Sequence, residues 1–189
     1  MIHAEIESYL ETRCLDTAEL GFDQWVKTRN LNSVAFCLYT MVYSGWSALG
    51  GIEGLPKVSN QNDLECRLGC AKKQYEKVVG DNNGIKKENL KEMLVPLSIR
   101  IDLDIDPDWV IAMSNFGGDR GKVAHMTWKA NIPPDPGDLD TLLRKTLLPG
   151  LNSLDKKFDS VVDSNALPIK EMGFFHRVKI AFNILLKRH

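Results

Sequence analysis

No apolar run in this sequence is long enough, or free enough of charge, to span a bilayer. The first residues, Met1-Ile2-His3-Ala4-Glu5-Ile6-Glu7, carry acids where a secretion signal needs a basic start and then an apolar stretch. We therefore expect a cytoplasmic protein without a membrane partner. A surplus of charge is missing as well: 24 Lys and Arg against 25 Asp and Glu leave a formal net charge of −1. That balance excludes a protein that coats nucleic acid by bulk electrostatics, which needs a basic face, so any phosphate-binding site must be local. There are only four cysteines, no C-x-x-C pair, and no histidine near them to complete a zinc set. In a reducing compartment they read as packing thiols, with no metal site and no cofactor expected. Strand-like alternation of Val, Ile and Thr is also lacking, as is any internal repeat.

What remains is an ordinary globular composition, 43% apolar and 26% charged over 189 residues, enough to bury a core without staples. Apolar residues recur at helical spacing from Ile2, Ile6, Tyr9 and Leu10 to Leu15, predicting a first helix to about Leu20 with Gly21 as its stop. Asn32 and Ser33 are cap candidates for a second helix to about Leu49, apolar nearly all round and so expected to be central. Asp63 opens a third through Leu68, Tyr75 and Val79, and Asp81-Asn82-Asn83-Gly84 forces a turn. A short helix from about Lys86 ends at Pro96. Asp106-Pro107 starts another, with Gly117-Gly118 expected to interrupt it and Asp119 to cap a new start.

Pro133-Pro134-Asp135-Pro136-Gly137 is the best candidate boundary, dividing a helical core, 1–132, from a C-terminal helical extension, 133–189, packed on the same domain. Within that extension, residues 138–163 read as a helix bent at Pro149-Gly150 and 170–187 as a last amphipathic helix. Five basic residues against one acid make 170–189 the most basic stretch. The expected fold class is all-α.

The pattern richest in chemistry is Asp119-Arg120-Gly121-Lys122-Val123-Ala124-His125, an arginine followed by a histidine after four intervening residues. Arginine offers a permanently charged donor fork that holds a phosphate through two hydrogen bonds. Histidine, with an ordinary pKa of ~6.5, accepts a proton at neutral pH and returns one when charged. Beside a ribose it can take the 2′-hydroxyl proton, so that this oxygen attacks the adjacent phosphate without a metal. Residues five apart on a regular α-helix lie ~140° apart around its axis. Either the helix is irregular near Gly121, or two copies of the motif face each other. Lys122 and Lys129 are candidates for further RNA phosphate contacts, Trp128 for stacking on a base, and Asp119 for a supporting carboxylate.

Three stretches together resemble the HEPN family, and in particular its RiboL-PSP-HEPN branch. They are the acidic first helix His3-Ala4-Glu5-Ile6-Glu7-Ser8-Tyr9-Leu10, the segment Asn83-Gly84-Ile85-Lys86-Lys87-Glu88-Asn89-Leu90, and the Arg120…His125 motif. The resemblance covers about the first two-thirds of the chain. It implies an antiparallel helical bundle with additional C-terminal helices, and a homodimer with the motif helix at its interface, so that two Arg120 and two His125 line one cleft. It also implies a metal-independent endoribonuclease acting as a toxin or defence effector, with RNA as substrate and an antitoxin or regulatory protein as partner. Many catalytic members carry Asn, Asp or His after the arginine, where this chain has Gly121. A catalytically silent dimer module that binds RNA or protein is the alternative, and a purely structural helical dimer the third.

Overall fold

A stripe of residues at intervals of three or four (Ile2, Ile6, Leu10, Cys14, Ala18, Gly21 and Trp25) runs the length of α1 (Ile2–Thr28), and all of it is buried. In the computed structural model, which describes residues 2–29, 32–43, 61–125 and 135–162 apart from the side chains of 42, 43, 61–63 and 119–125, this 27-residue helix is the element most others pack on. The rest of the chain adds α2 (Ser33–Tyr43), α3 (Gln61–Gly80), α4 (Lys87–Leu94), α5 (Ile101–Asp104), α6 (Pro107–His125), α7 (Pro136–Leu142) and α8 (Leu148–Val161). The protein is all-α, with no strand among the described residues.

Helix α1 does not stop at Gly21 as its sequence suggests. A Cβ on Gly21 would stand 2.7 Å from Val34 Cβ, so the glycine lets α1 and α2 touch rather than ending a helix. The true end is at Thr28, followed by Arg29 in the left-handed region (φ 59°). Asn32 then caps α2, accepting from Ala35 N (2.8 Å) while its amide donates to Gly21 O (2.7 Å) and Gln24 Oε1 (3.0 Å). Such a cap contributes ~1 kcal/mol and here also pins the chain reversal. Helix α2 buries Val34, Ala35 and Leu38 but leaves Phe36 about half exposed, so it is one-sided and not encased. Residues 44–49 of its expected length lie outside the described residues.

Contacts of α1 with α3 and the turn that follows it pair Glu11 with Asn82, Cys14 with Tyr75 and Glu19 with Lys72, a descending register that makes the two helices antiparallel. Tyr75 Oη donates to Met93 O (2.6 Å), tying α3 to the last turn of α4. A turn at Val95–Leu97 and Ser98 in the left-handed region (φ 68°) close α4. The short α5 was not legible in the sequence. Asp104 accepts from Arg100 N (2.8 Å) and Arg100 Nε (3.2 Å), which holds that single turn together.

Asp135 begins α7 by accepting from Gly137 N (2.6 Å). The hydrogen-bond register widens to i→i+5 over Leu143–Leu147, just before Pro149, which has no N–H to donate. Trp109 Nε1 donates to Leu147 O (3.1 Å), and Gly150 leaves room for the indole. Helix α8 reaches α1 through Arg13, whose guanidinium bonds Asp155 and Asp159 at 2.9 Å each. Leu143, Leu147, Leu151, Leu154 and Phe158 join the same core as α1 and α6. The predicted helix over 170–187 lies outside the described residues.

Candidate functional site

Helix α6 carries the Arg-x4-His motif, and its placement starts at the cap. Asp106 Oδ1 accepts from Asp108 N (3.0 Å) and Pro107 fills the first turn. Trp109, Val110 and Met113 are buried on the face toward the bundle, whereas Ile111 is exposed on the other. Ser114 Oγ accepts from Lys87 N (2.9 Å), fastening α6 to the start of α4.

The pair Gly117-Gly118 does not interrupt α6, and Asp119 is not a cap: the helix runs unbroken to His125. Glycine is favoured at 117 by crowding. A Cβ there would stand 3.1 Å from Ile85 Cγ1, 3.5 Å from Lys86 Cγ and 3.6 Å from His3 Nε2. At Gly118 a Cβ would meet nothing within 4 Å.

Gly117 is thus where α1, the start of α4 and α6 meet. The His3 ring lies over Phe116 (centroids 5.9 Å, planes 30° apart), and His3 Nδ1 is 3.6 Å from Glu7 Oε2, one turn along α1. Both side chains are nearly covered, at 10% and 13% exposure, an arrangement ionisable groups adopt only with partners. The loop before α4 is held by Asn82, whose amide donates to Glu11 Oε1 (2.8 Å) and Gly84 O (3.1 Å), and by Asn89 Nδ2 donating to Asn82 Oδ1 (3.0 Å). Two of the three stretches singled out in the sequence, around His3 and around Gly84, therefore meet at the turn of α6 that precedes the third, Arg120 to His125.

Arg120 lies one turn beyond Gly117, and Arg120 and His125 both belong to α6. By helical register the backbone at Arg120 continues the line of Met113 and Gly117, at ~20° from Met113, while His125 falls ~120° from it and Lys122 ~180°. Asp119 and Lys122 share the same helix; Trp128 and Lys129 lie outside the described residues. His3 and Glu7 were absent from the sequence-derived site. Their i, i+4 spacing on a helix bearing Ile2 and Ile6 is the signal that could have marked them as a covered pair. Glu5, from the same stretch, is only partly covered.

Other titratable groups serve the scaffold. Burial works to lower the pKa of Arg13, but its bonds to Asp159 and Asp155 outweigh this and hold it above the ordinary value. Burial and then Asp155 raise the Tyr9 phenol well above its usual range. Burial pushes the Cys14 thiol up to about 12. Cys14 is the packing thiol expected of a cysteine here, but Cys66 is exposed and Cys70 only partly covered, so a packing role does not describe that pair.

Among the described residues no three metal-ligating side chains converge, and no helix is long and apolar enough to cross a membrane. Comparison of the chain with protein-family models, curated proteins and solved structures gave no match.

Proposed function

We propose that this protein is a HEPN-like, metal-independent endoribonuclease that cleaves RNA by attack of a 2′-hydroxyl on the adjacent phosphate. The observation that carries the reading is the Arg120-x4-His125 motif on a continuous helix whose preceding turn packs against the two other stretches that resemble the family. Arg120 holds the scissile phosphate through its two-pronged donor set and offsets the charge that builds at phosphorus. His125 takes the ribose proton, and a second His125, from another copy of the chain, protonates the leaving 5′-oxygen. The products are a 2′,3′-cyclic phosphate and a 5′-hydroxyl, and DNA, which lacks the nucleophile, is spared. Lys122 and Lys129 contact flanking phosphates, Trp128 stacks on a base and Asp119 supports Arg120. A cytoplasmic homodimer with α6 at its interface is the working form, acting as a toxin or defence effector restrained by an antitoxin or regulatory protein.

The test is cleavage of labelled single-stranded RNA by purified protein in the presence of a chelator. Wild type should generate cyclic-phosphate ends, and His125→Ala, with unchanged circular dichroism, should generate none, because alanine keeps helix propensity and removes only the proton-transfer group. Equal turnover by the folded variant would falsify the assignment. One observation favours a second reading, a silent RNA- or protein-binding dimer module: Gly121 leaves no side chain beside Arg120. That reading predicts RNA mobility shifts without new ends.

A further inference from the structure

The solvent face of α3 carries a feature that the nuclease reading does not use. Leu68, Ala71, Tyr75 and Val79 form the buried side of this helix, and Cys66 and Cys70, one turn apart, stand on the opposite side. Cysteine is among the most buried residue types, as Cys14 is here, so two thiols on an outer face are unusual. At positions i and i+4 of one helix their Cβ atoms lie ~5–6 Å apart, and Lys73 brings a positive charge to Cys70.

Two kinds of chemistry join paired thiols, and helix geometry separates them. A disulfide needs its Cβ atoms ~3.8 Å apart. Positions i and i+4 of an α-helix hold them ~5–6 Å apart, so oxidation would require this turn of α3 to deform. A bridging metal ion needs no such movement. With metal–sulfur bonds of ~2.3 Å and a tetrahedral angle, the two sulfurs sit ~3.8 Å apart, a separation that side chains with Cβ atoms ~5–6 Å apart reach by rotation about χ1 alone.

We propose that Cys66 and Cys70 form a two-thiolate binding site for a thiophilic divalent cation of the zinc type. Each sulfur gives up its proton to solvent as its bond to the cation forms, so one cation replaces two protons, and the two remaining tetrahedral positions take water or an external ligand. Lys73 favours the thiolates electrostatically. Because the cation displaces thiol protons, the site should fill more readily as pH rises. Cys14 does not compete, being fully buried with a pKa of about 12.

The experiment titrates the reduced full-length protein with cadmium and follows the thiolate-to-cadmium charge-transfer absorption. Saturation at one cadmium per chain is expected, with displacement by zinc. Cys66→Ser and Cys70→Ser should each abolish the band, and Cys37→Ser should keep it, all three retaining the wild-type circular dichroism of a folded chain. A band that survives at half amplitude in each single variant would mean independent thiols and overturn the site. Ready conversion of the pair to a disulfide by a mild oxidant, with helicity intact, would overturn it too, because the geometric argument forbids that outcome. None of these readouts involves RNA, so the proposal stands or falls apart from the nuclease reading.

Discussion

Replacing Gly150 by alanine should destabilise the protein, although alanine is the better helix former. Gly150 lies in α8 against the indole of Trp109, and an added Cβ would stand 1.8 Å from Trp109 Cδ1, 2.1 Å from Nε1 and 2.4 Å from Cγ. Restoring an ordinary contact of 3.4 Å moves the ring back by about 1.6 Å. Trp109 is 2% exposed, and a ring displaced that far also gives up its bond to Leu147 O. Overpacking costs ~2 kcal/mol and an orphaned indole N–H with its carbonyl ~2 kcal/mol, against ~1 kcal/mol gained in helix propensity. The net loss of ~3 kcal/mol lowers Tm by roughly 6–12 °C in a chain of this size. Gly118→Ala is the matched control: it lies inside α6 with nothing within 4 Å, so only the propensity term acts and Tm should rise by roughly 2–4 °C. Thermal unfolding followed by circular dichroism reads both. A Gly150→Ala protein as stable as wild type would refute the packing of α6 on α8 described above.

Arg13→Met keeps an aliphatic stem over Phe158 but strips Asp155 and Asp159 of their cation; since both acids are partly solvated, the expected loss is ~2 kcal/mol, read as a lower urea midpoint at unchanged slope. Asp104 has a lowered pKa, chiefly through its hydrogen bonds from Arg100, so its contribution to stability is complete above the unfolded value of ~3.9 and disappears as pH falls through the folded one. Asp104→Asn should therefore cost stability at pH 7 and less at about pH 3, and a difference constant across that range would show that the carboxylate charge is not involved. If one cleft uses both His125 side chains, adding an equal amount of His125→Ala chain under exchange conditions should cut wild-type RNA cleavage to about half by forming mixed dimers. Undiminished activity in a mixture shown to exchange would rule out a shared cleft.

Much of the fold was legible where the signal is local. The helix starts at Asn32 and Asp106 were readable because a capping carboxylate or amide acts on backbone two or three residues away, whereas the cap at Asp135 was hidden in a proline-rich stretch that reads as a break. Glycine was misread for the opposite reason. Helix propensity alone makes Gly21 and Gly117-Gly118 look like breaks, but Gly21 answers to Val34 on α2, and Gly117 to Ile85 before α4 and His3 on α1. Those neighbours are distant in sequence, and tertiary contact outweighs a propensity cost of ~1 kcal/mol per glycine. The same holds at the candidate site. An Arg-x4-His spacing can be read from the chain, whereas the covering of His3 and Glu7 depends on where α6 crosses α1. The exposure of Cys66 likewise follows from which face α3 turns to the core, and thiol spacing does not reveal that.

Continuity of α6 bears directly on how the motif works. Its sequence left two ways to bring Arg120 and His125 to one phosphate: a distorted helix near Gly121, or two copies of the chain. The backbone is helical through Gly121 to His125, so it provides no such distortion. A regular helix separates the two positions by ~140° and ~7.5 Å of rise. In-line attack by a 2′-hydroxyl requires the phosphate-holding and proton-accepting groups to converge within hydrogen-bond reach of adjacent atoms. One straight helix does not supply that convergence, and two facing helices do. The turn of α6 before the motif, through Met113 and Gly117, is packed toward α1 and the start of α4, where His3 and Glu7 are covered. On the nuclease reading, then, a second copy of the chain has to supply the group that one straight helix cannot bring to the phosphate, which is why the reading requires a dimer.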